Sequence, residues 1–409
     1  MWLLSLLIAT VCATQNDSIT RIAFGSCNHQ ERRQDIWPSI ASKKPDAWVW
    51  LGDVIYADTR VLPFPPMFAP STIDSVRNKY TKQKTSPGYA ALASQTTVYG
   101  VWDDHDYGIN DGGIEFENKQ AMQQLFLDFL DVPEDSLRRR QEGVYTSHRI
   151  GKGVLLILLD VRYHREDYGV LEGDMLGATQ WQWLRHTLAT EPGEVILIGG
   201  GIQFISDTKP VEHWARHPAA REKFFQVLAE SKRSGIVLLS GDIHIAETHR
   251  LRCNGLGYPL YEFTSSGLSH HNPSWMRPFV ASGPTLVDEF YGFNFGVVDV
   301  DWVQKTVHVM IHEIDGSIVR QHVLSFAQLE YQGEKGAGQG YYCESLPPVA
   351  NRYTLAVVRF IYSMFPPYTV SSLTALIMAL VLQIMFIGMT MGVIVYALRI
   401  YTFRLKKKP

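Results

Sequence analysis

Four short segments of the chain carry side chains that bind metal ions, and each directly follows an apolar, β-favouring run. The segments are Gly25-Ser26-Cys27-Asn28, Gly52-Asp53-Val54-Ile55-Tyr56, Trp102-Asp103-Asp104-His105-Asp106 and Ser240-Gly241-Asp242-Ile243-His244. In open α/β sheets, functional groups gather at the carboxyl ends of the strands, where the loops begin. Because a thiol, carboxylates, a phenol and imidazoles occur at four such places, the sequence predicts a shared metal centre.

The residue types indicate how two ions would be held in a hydrolytic site. Asp53 follows a strand and a glycine, and the two oxygens of its carboxylate could bridge both ions. Tyr56, three residues later, could turn its phenol toward one of them. A phenolate and the thiolate of Cys27 suit iron better than magnesium or calcium. Asp104 and His105 stand where side chains could bind the second ion and assist a leaving group.

Asp242 and His244 are separated by one residue, a spacing that puts two side chains on the same side of an extended strand end. Each could therefore bind one of the two ions. Taken alone, every one of these residues has a simpler explanation: Cys27 is a buried thiol, the Gly-Asp pairs are turns, residues 103–106 cap a helix or bind one calcium, and each histidine is merely hydrogen-bonded. Their joint occurrence at four strand ends favours the metal centre.

The elements that would position these residues alternate between strands and helices up to Ser240. The predicted strands are 21–26, 47–52, 154–160, 195–200 and 236–240, and the predicted helices are 35–42, 115–130, 179–188 and 221–231. Strands follow at 261–265, 295–300 and 306–312, and the Pro-rich segment 62–70 is predicted to be a surface loop. This order predicts an α/β domain built on mixed sheets.

The order and spacing of the four segments closely resemble the calcineurin-like metallophosphatases, and within them the alkaline phosphatase D (PhoD-like) branch. The Gly-Ser-Cys, Gly-Asp-x-Ile-Tyr-x-Asp, Trp-Asp-Asp-His and Gly-Asp-x-His elements of that branch match residues 25–27, 52–58, 102–105 and 241–244. The resemblance runs from about Arg21 to Asp301. It implies a four-layer α-β-β-α sandwich of two mixed sheets, which we place within residues 14–331.

The same resemblance implies a metal pair, ferric iron plus a divalent ion such as calcium. The iron positions correspond to Cys27, Asp53, Tyr56 and His244, and those of the second ion to Asp53, Asp104 and Asp242. Arg162, in the matching string Leu-Leu-Asp-Val-Arg, would contact the phosphoryl group, since a guanidinium can grip phosphate oxygens at two points. The alternative for Arg162 is a salt bridge, to Asp160 or at the surface. His270 and His271 could line the substrate cleft.

Both ends of the chain are apolar, in different ways. Residues 1–13 resemble a secretory signal peptide that is cut after Ala13, with a buried first strand as the alternative. Residues 370–398 form an apolar run whose helix would exceed the roughly 30 Å hydrocarbon core of a bilayer. We therefore expect one C-terminal transmembrane helix, preceded by a linker and juxtamembrane segment at residues 332–369.

The basic tail at residues 399–409 orients this helix, because lysine and arginine collect on the cytosolic side of membrane helices. The main domain would then lie in a lumen or outside the cell. Lys406 and Lys407 also resemble the di-lysine signal that returns proteins to the endoplasmic reticulum, with ordinary flanking charge as the alternative. We expect a type I protein of the endoplasmic reticulum membrane, with the plasma membrane or vacuole as alternatives. Gly388 and Gly392 form a Gly-x-x-x-Gly pair through which two helices could dimerise.

The cysteines and the net charge limit the partners that the chain is expected to have. Of the four cysteines, Cys12 would leave with the signal peptide and Cys27 would bind metal. Cys253 and Cys343 then remain as a pair that could form a disulfide if their distance allows it. The formal net charge of −3 leaves no broad basic face, so nucleic acid is not an expected partner.

The activity implied by the resemblance is metal-dependent hydrolysis of phosphoric esters. A hydroxide held by the metals would attack phosphorus in line, while His105 helps the leaving oxygen depart. Phosphodiester cleavage is the first expectation, because characterised relatives act on diesters as well as monoesters. The membrane anchor extends the expected substrates to phospholipid or glycolipid-linked phosphodiesters. A phosphomonoesterase and a catalytically silent, metal-stabilised binding ectodomain remain open alternatives.

Overall fold

The structure is a computed structural model that describes residues 18–62, 67–167, 170, 172–206, 212–252, 255–279, 283, 285–332, 378 and 381–393. The predicted signal peptide, linker and basic tail lie outside the described residues, as do Cys253, Cys343 and much of the predicted membrane helix. Residues 381–393 are helical. In the described part of the chain, no helix is both long enough and apolar enough to cross a bilayer.

The described strands alternate with helices along the first two thirds of the chain. The strands are β1 (Ile19–Gly25), β2 (Ala47–Leu51), β3 (Thr59–Leu62), β4 (Met67–Ala69), β5 (Thr97–Val101), β6 (Thr146–Ile150), β7 (Val154–Leu158), β8 (Val195–Gly199), β9 (Ile236–Ser240), β10 (Ala246–Leu251), β11 (Leu260–Ser265), β12 (Leu286–Phe290), β13 (Asn294–Asp301), β14 (Thr306–Glu313) and β15 (Ile318–Ser325). The α-helices are α1 (Trp37–Ser42), α2 (Ile73–Lys84), α3 (Pro87–Ala93), α4 (Asp104–Tyr107), α5 (Lys119–Phe129), α6 (Gly177–Thr190) and α7 (Pro218–Ser231). Short 3₁₀ helices occupy Leu137–Arg139, Trp214–Arg216, Ser274–Phe279 and Phe326–Leu329.

The first large sheet has the strand order β15-β14-β13-β1-β2-β5. Strands β1, β2 and β5 run parallel, whereas β13, β14 and β15 are joined by antiparallel pairing. All five residues of β2 are buried, as expected for an uninterrupted apolar strand that is covered on both faces. The carboxyl ends of β1, β2 and β5 therefore lie side by side at one edge of the sheet.

The second large sheet has the order β12-β10-β11-β9-β8-β7-β6. Strands β7, β8, β9 and β11 are parallel, and β6, β10 and β12 are antiparallel to their neighbours. Both sheets are thus mixed, as predicted. The end of β9 reaches the loops of the first sheet, since a Cβ added to Gly241 would lie 2.4 Å from Ser26 Oγ and 2.5 Å from the Leu51 carbonyl oxygen.

Strand β2 lies between a layer of helices and the second sheet. Trp48 and Trp50 both pack edge-on against Trp37 of α1, with ring centroids 5.3 and 5.4 Å apart. Leu51 instead meets β8, where a Cβ added to Gly199 would lie 2.7 Å from Leu51 Cδ2.

Helix α6 lies at the end of β7 in the second sheet. Its Gln180 exchanges two 2.8 Å hydrogen bonds with the backbone of Asp160. Phe224 of α7 stacks on Phe204, at 5.1 Å between ring centroids, in the loop after β8. Helices thus accompany both sheets of this mixed α/β fold.

The predicted strands and helices between residues 21 and 312 are present, and the differences have local causes. The predicted helix 115–130 begins only at Lys119, after a run of turns. The loop predicted at 62–70 is wrong in part, because β3 and β4 pair as a hairpin. Helices α2 and α3 were missed, as were β6, β10, β12 and β15. Helix α2 buries only Val76, Tyr80 and Gln83, too few apolar positions for a clear helical period.

Candidate metal centre

Four of the predicted ligands sit on tight backbone turns that follow three of the strands. Cys27, Asp53, Asp242 and His244 have φ angles of 60°, 47°, 74° and 57°. This left-handed region is uncommon for residues other than glycine and is often found at functional sites. The expectation that Asp242 and His244 share one side of an extended strand end is therefore wrong, because both lie in a turn after β9. The turn nevertheless places His244 close to the other predicted ligands.

One group of donor atoms forms around Asp53. Its Oδ2 lies 3.4 Å from Cys27 Sγ and 3.3 Å from Tyr56 Oη. Tyr56 Oη is in turn 3.1 Å from His244 Nε2. Ligand atoms of Cys27, Asp53 and His244 all lie within 4.8 Å of one another. The four residues predicted for the iron site are thus brought together from three loops.

A second group shares the same aspartate. Ligand atoms of Asp53, Asp104 and His105 also lie within 4.8 Å of one another. Asp53 therefore belongs to both groups, as a bridging carboxylate must. Its buried Oδ1, and the buried Oδ2 of Asp242, accept no hydrogen bond from the described residues. Asp242 belongs to neither 4.8 Å group, but its charge helps to raise the pKa of Cys27.

The electrostatics of this cluster favour protonated acids in the absence of cations. Burial raises the pKa of Asp53 well above its usual value, even though His105 opposes the shift. Burial and the charge of Asp53 likewise raise the pKa values of the Cys27 thiol and the Tyr56 phenol. A multivalent cation would offset both causes, because it favours the deprotonated ligand. Burial lowers the pKa of His244 to about 4 and so keeps a lone pair available for a metal. The donor set fits a metal pair.

His105 is held by an aspartate that the sequence analysis did not select. Asp58 Oδ1 lies 2.8 Å from His105 Nδ1, and Asp58 Oδ2 accepts the backbone N–H of Asn110 at 2.8 Å. Burial alone would lower the pKa of His105, but the carboxylates of Asp58, Asp104 and Asp53 raise it well above its usual value. The ring of Tyr56 packs on His105, with centroids 4.0 Å apart. The His105 imidazole is therefore fixed and favours its protonated form.

Residues 103–106 both cap a helix and contribute side chains to the candidate metal centre. Asp103 and Asp106 form a reciprocal capping box at the start of α4, which was one of the alternatives for this segment. The cap turns Asp104 and His105 toward Asp53. The helical and metal explanations are therefore compatible at this strand end.

Arg162 lies wholly buried, in contact with two carboxylates. Its Nε donates a 2.6 Å hydrogen bond to Asp103 Oδ1, and its Nη1 lies 2.6 Å from Glu212 Oε2. Asp160, the salt-bridge partner considered from the sequence, instead accepts the backbone N–H of Arg162. The alternative of a surface salt bridge is wrong, since the side chain is 0% exposed. Its contact with a phosphoryl group stays a prediction.

Two glycines allow Asp103 to sit where it meets Arg162. A Cβ added to Gly201 would lie 2.3 Å from Asp103 Oδ1, and one added to Gly52 would lie 2.3 Å from Asp103 Cβ. Gly52 also has a φ of +87°, which favours glycine. The backbones of two loops thus pack directly against the carboxylate that holds Arg162.

The sequence analysis missed Asp58, Asp111 and Glu212 as members of the site. Asp58 ends the second matched element, so its position was a usable signal. Glu212 and Asp111 form a third group of ligand atoms with Asp104, but no local pattern marked either residue. His270, considered only as a cleft residue, lies 2.8 Å from Tyr56 Oη through its Nε2.

Comparisons with known proteins identify the family of the chain. The family profile described as PhoD-like phosphatase matches residues 22–283. Alkaline phosphatase D of Bacillus subtilis (strain 168) is 21% identical over 285 residues, which make up 60% of this chain and 48% of that protein. The chain therefore spans about half the length of this curated relative.

The structure of PhoD shows the same fold as this chain. The structure of PhoD is similar with a TM-score of 0.61 at 17% identity, over 75% of this chain and 68% of that one. GAP50, the anchor in the inner membrane complex of Plasmodium, has a TM-score of 0.49 at 11% identity, over 75% of this chain and 89% of that one. Because the family profile covers more than half of the 409 residues, the chain belongs to the PhoD-like phosphatase family.

Proposed function

We propose that this chain is a metal-dependent hydrolase of phosphoric esters. The observation that carries the proposal is that Asp53 belongs to two adjoining groups of ligand atoms, one with Cys27 and His244 and one with Asp104 and His105. A single carboxylate between two groups is what a two-metal hydrolase requires. The family to which the chain belongs supports the same class of reaction.

The two ions would be held by residues of different chemical softness. We assign iron to Cys27, Asp53, Tyr56 and His244, and a divalent ion such as calcium to Asp53, Asp104 and Asp242. A thiolate and a phenolate favour iron, whereas carboxylates suit calcium. When bound, the ions would supply a nucleophile at neutral pH and neutralise charge on the phosphoryl oxygens.

The side chains around the ions have separate tasks. Asp58 engages Nδ1 of His105, which leaves Nε2 of the same ring to give a proton to the departing oxygen. Arg162 would stabilise the charge that develops on phosphorus-bound oxygens. Arg162 is buried between Asp103 and Glu212. Its side chain would therefore have to turn toward the substrate, or act without touching it.

We propose phosphodiesters as the preferred substrates, with phosphomonoesters as the second candidate. The sequence supports a membrane-anchored, type I arrangement in the endoplasmic reticulum, which would bring phospholipid or glycolipid-linked diesters within reach. Dimerisation through Gly388 and Gly392 stays a prediction. A silent binding ectodomain is disfavoured, since every predicted ligand position carries a side chain that can bind metal.

The test is turnover by the full-length protein after chelation and metal return. Bis-p-nitrophenyl phosphate and p-nitrophenyl phosphate are assayed with no metal, with iron alone, with calcium alone and with both. We expect activity to require both ions and to favour the diester. A preference for the monoester would select the second candidate. No turnover of either ester by a folded, metal-loaded sample would contradict the proposal and favour the binding ectodomain.

A further inference from the structure

We propose that His270 is a positioning residue for Tyr56, donating a hydrogen bond from its Nε2–H to the phenol oxygen that binds iron. The inference rests on the proposed iron site and assigns a role to a residue outside the predicted ligand set. Tyr56 Oη makes polar contacts of 3.3, 3.1 and 2.8 Å with Asp53, His244 and His270. The shortest of the three is the contact to His270.

The contacts of His270 favour a role as a partner of Tyr56 over a role as a further ligand. The group of mutually close ligand atoms contains Cys27, Asp53 and His244 and does not include His270. His270 Nε2 lies 3.2 Å from His244 Nε2, farther than from the phenol oxygen. A proton on His270 Nε2 therefore has its best acceptor in Tyr56, and the His244 lone pair stays free for the ion.

One assignment of protons gives a donor and an acceptor to each contact that links Asp53, Tyr56, His270 and Ser269. Tyr56 Oη–H donates to Asp53 Oδ2, and Tyr56 Oη accepts from His270 Nε2–H at 2.8 Å. His270 Nδ1 then accepts from the Ser269 hydroxyl, 3.2 Å away. When iron displaces the phenol proton, the donor on His270 stays in place. Such outer partners of metal ligands typically fix the ligand and alter metal affinity about 10- to 100-fold.

The backbone holds His270 against both ligand loops. Ser269 N–H donates to the carbonyl oxygen of Cys27 at 3.3 Å, and Asn272 N–H donates to that of His244 at 2.8 Å. His270 therefore lies on a short segment that is anchored on either side to residues of the centre.

The Tyr56 ring is confined as well. It stacks on His29, with centroids 4.9 Å apart and planes 14° apart, and it meets His270 edge-on at 5.2 Å. The phenol oxygen and the His270 donor are thus fixed in relation to each other before any metal binds. A hydrogen bond that is built in this way should withdraw electron density from the phenolate in the loaded centre.

The test uses the visible phenolate-to-iron charge-transfer band of the full-length protein after loading with ferric iron. We expect a band in the wild type and its loss in Tyr56→Phe. His270→Phe keeps a ring but removes the donor, so the band should move to longer wavelength because the phenolate donates more strongly. His270→Gln keeps a donor and should bring the band back toward its wild-type position. His308→Phe is the matched control, because His308 lies on β14, where its Nε2 contacts Gln321 Oε1 at 3.2 Å, and it should leave the band unchanged.

A second measurement needs no substitution. In the loaded wild type, exchange into D₂O should shift the phenolate C–O vibration in resonance Raman spectra, because the donated proton exchanges. A band that is lost in Tyr56→Phe, yet unchanged in His270→Phe and insensitive to D₂O, would overturn the role of His270 and leave the iron site standing. A wild type that binds iron but shows no band would overturn both.

Discussion

Asp58 and His105 are joined through a 2.8 Å contact between Oδ1 and Nδ1, although 47 residues separate them in the chain. The pair is almost wholly buried, with side-chain exposures of 2% and 9%. It connects the loop after β2 to the start of α4, and thereby fixes the imidazole beside Asp53 and Asp104. The orientation of the proposed proton donor therefore depends on a residue outside the ligand set.

The Asp58–His105 contact predicts a dependence on the leaving group. In Asp58→Asn the imidazole loses its charged partner, and general acid catalysis, typically worth about 10²- to 10⁴-fold, should fall in part. An alkyl phosphodiester needs that proton and should lose about 10- to 100-fold in kcat. A p-nitrophenyl diester has a good leaving group and should lose much less. Equal losses on the two esters would argue against the acid role of His105.

Asp242→Asn should stabilise the metal-free protein and reduce the further stabilisation that metal provides. Burial and nearby aspartates raise the pKa of Asp242 in the folded chain, so at pH 7 the unfolded chain ionises this carboxyl more readily and folding is opposed. The amide removes that cost, and the chelated variant should melt higher than wild type, by about 2 to 4 °C for each kcal/mol gained. The gain should disappear as the pH falls below the unfolded pKa of roughly 3.8.

The same substitution removes a predicted ligand of the second ion. Added metal should therefore raise the melting temperature of Asp242→Asn less than that of wild type, since stabilisation follows metal affinity. Thermal unfolding with chelator and with calcium measures both effects. A variant that melts lower than wild type in chelator, but gains as much from metal, would show that Asp242 is structural.

Glu212→Gln tests the buried ion pair between Glu212 and Arg162. Glu212 Oε2 lies 2.6 Å from Arg162 Nη1, and both side chains are at most 2% exposed. Breaking a buried ion pair on one side usually costs about 3–5 kcal/mol, and Asp103 remains as a second partner, so we expect the lower part of that range. The control is Glu230→Gln, whose pair with Arg185 has exposures of 46% and 43% and should matter by less than about 1 kcal/mol. Urea unfolding of the two variants compares them, and equal losses would contradict the account.

His148 should contribute to acid sensitivity. Burial lowers its pKa to about 4, while the unfolded value is about 6.5. The unfolded chain therefore binds a proton that the folded chain rejects, and stability should fall as the pH drops from about 6.5 toward 4. His148→Phe, which can keep the packing on Tyr99 at 4.1 Å, should reduce that fall by roughly 1 to 3 kcal/mol. The measurement is the unfolding free energy of the wild type and of His148→Phe at pH 7 and pH 4.5. The same pH dependence in both proteins would contradict the role given to His148.

The part of the site that could be predicted is the part that lies on strand ends. Cys27, Asp53, Tyr56 and His244 each follow a buried apolar run, so the strand pattern predicts that they lie at one edge of the sheets. The positive φ of Asp242 escaped prediction because an alternating spacing is also compatible with a turn. The order of residue types does not by itself specify which region of φ/ψ space each residue occupies.

The missed residues are positioned by tertiary contacts. Glu212 reaches Arg162 across loops of the second sheet, and no periodicity connects the two in the sequence. Helix α2 was missed because its face is mostly polar and its stability comes from contact with neighbouring helices, not from a repeating apolar pattern. An α/β domain with mixed sheets was predictable from the alternation of strands and helices, whereas edge strands such as β15, with few buried positions, give a weak signal.

The central claim is that Asp53 joins two metal ions in an ester hydrolase. The most direct measurement is turnover of bis-p-nitrophenyl phosphate by metal-loaded Asp53→Asn, with metal content and cooperative unfolding recorded on the same sample. We predict a folded protein with fewer than two ions per chain and no measurable turnover. Wild-type-like turnover by a folded Asp53→Asn protein would contradict the account.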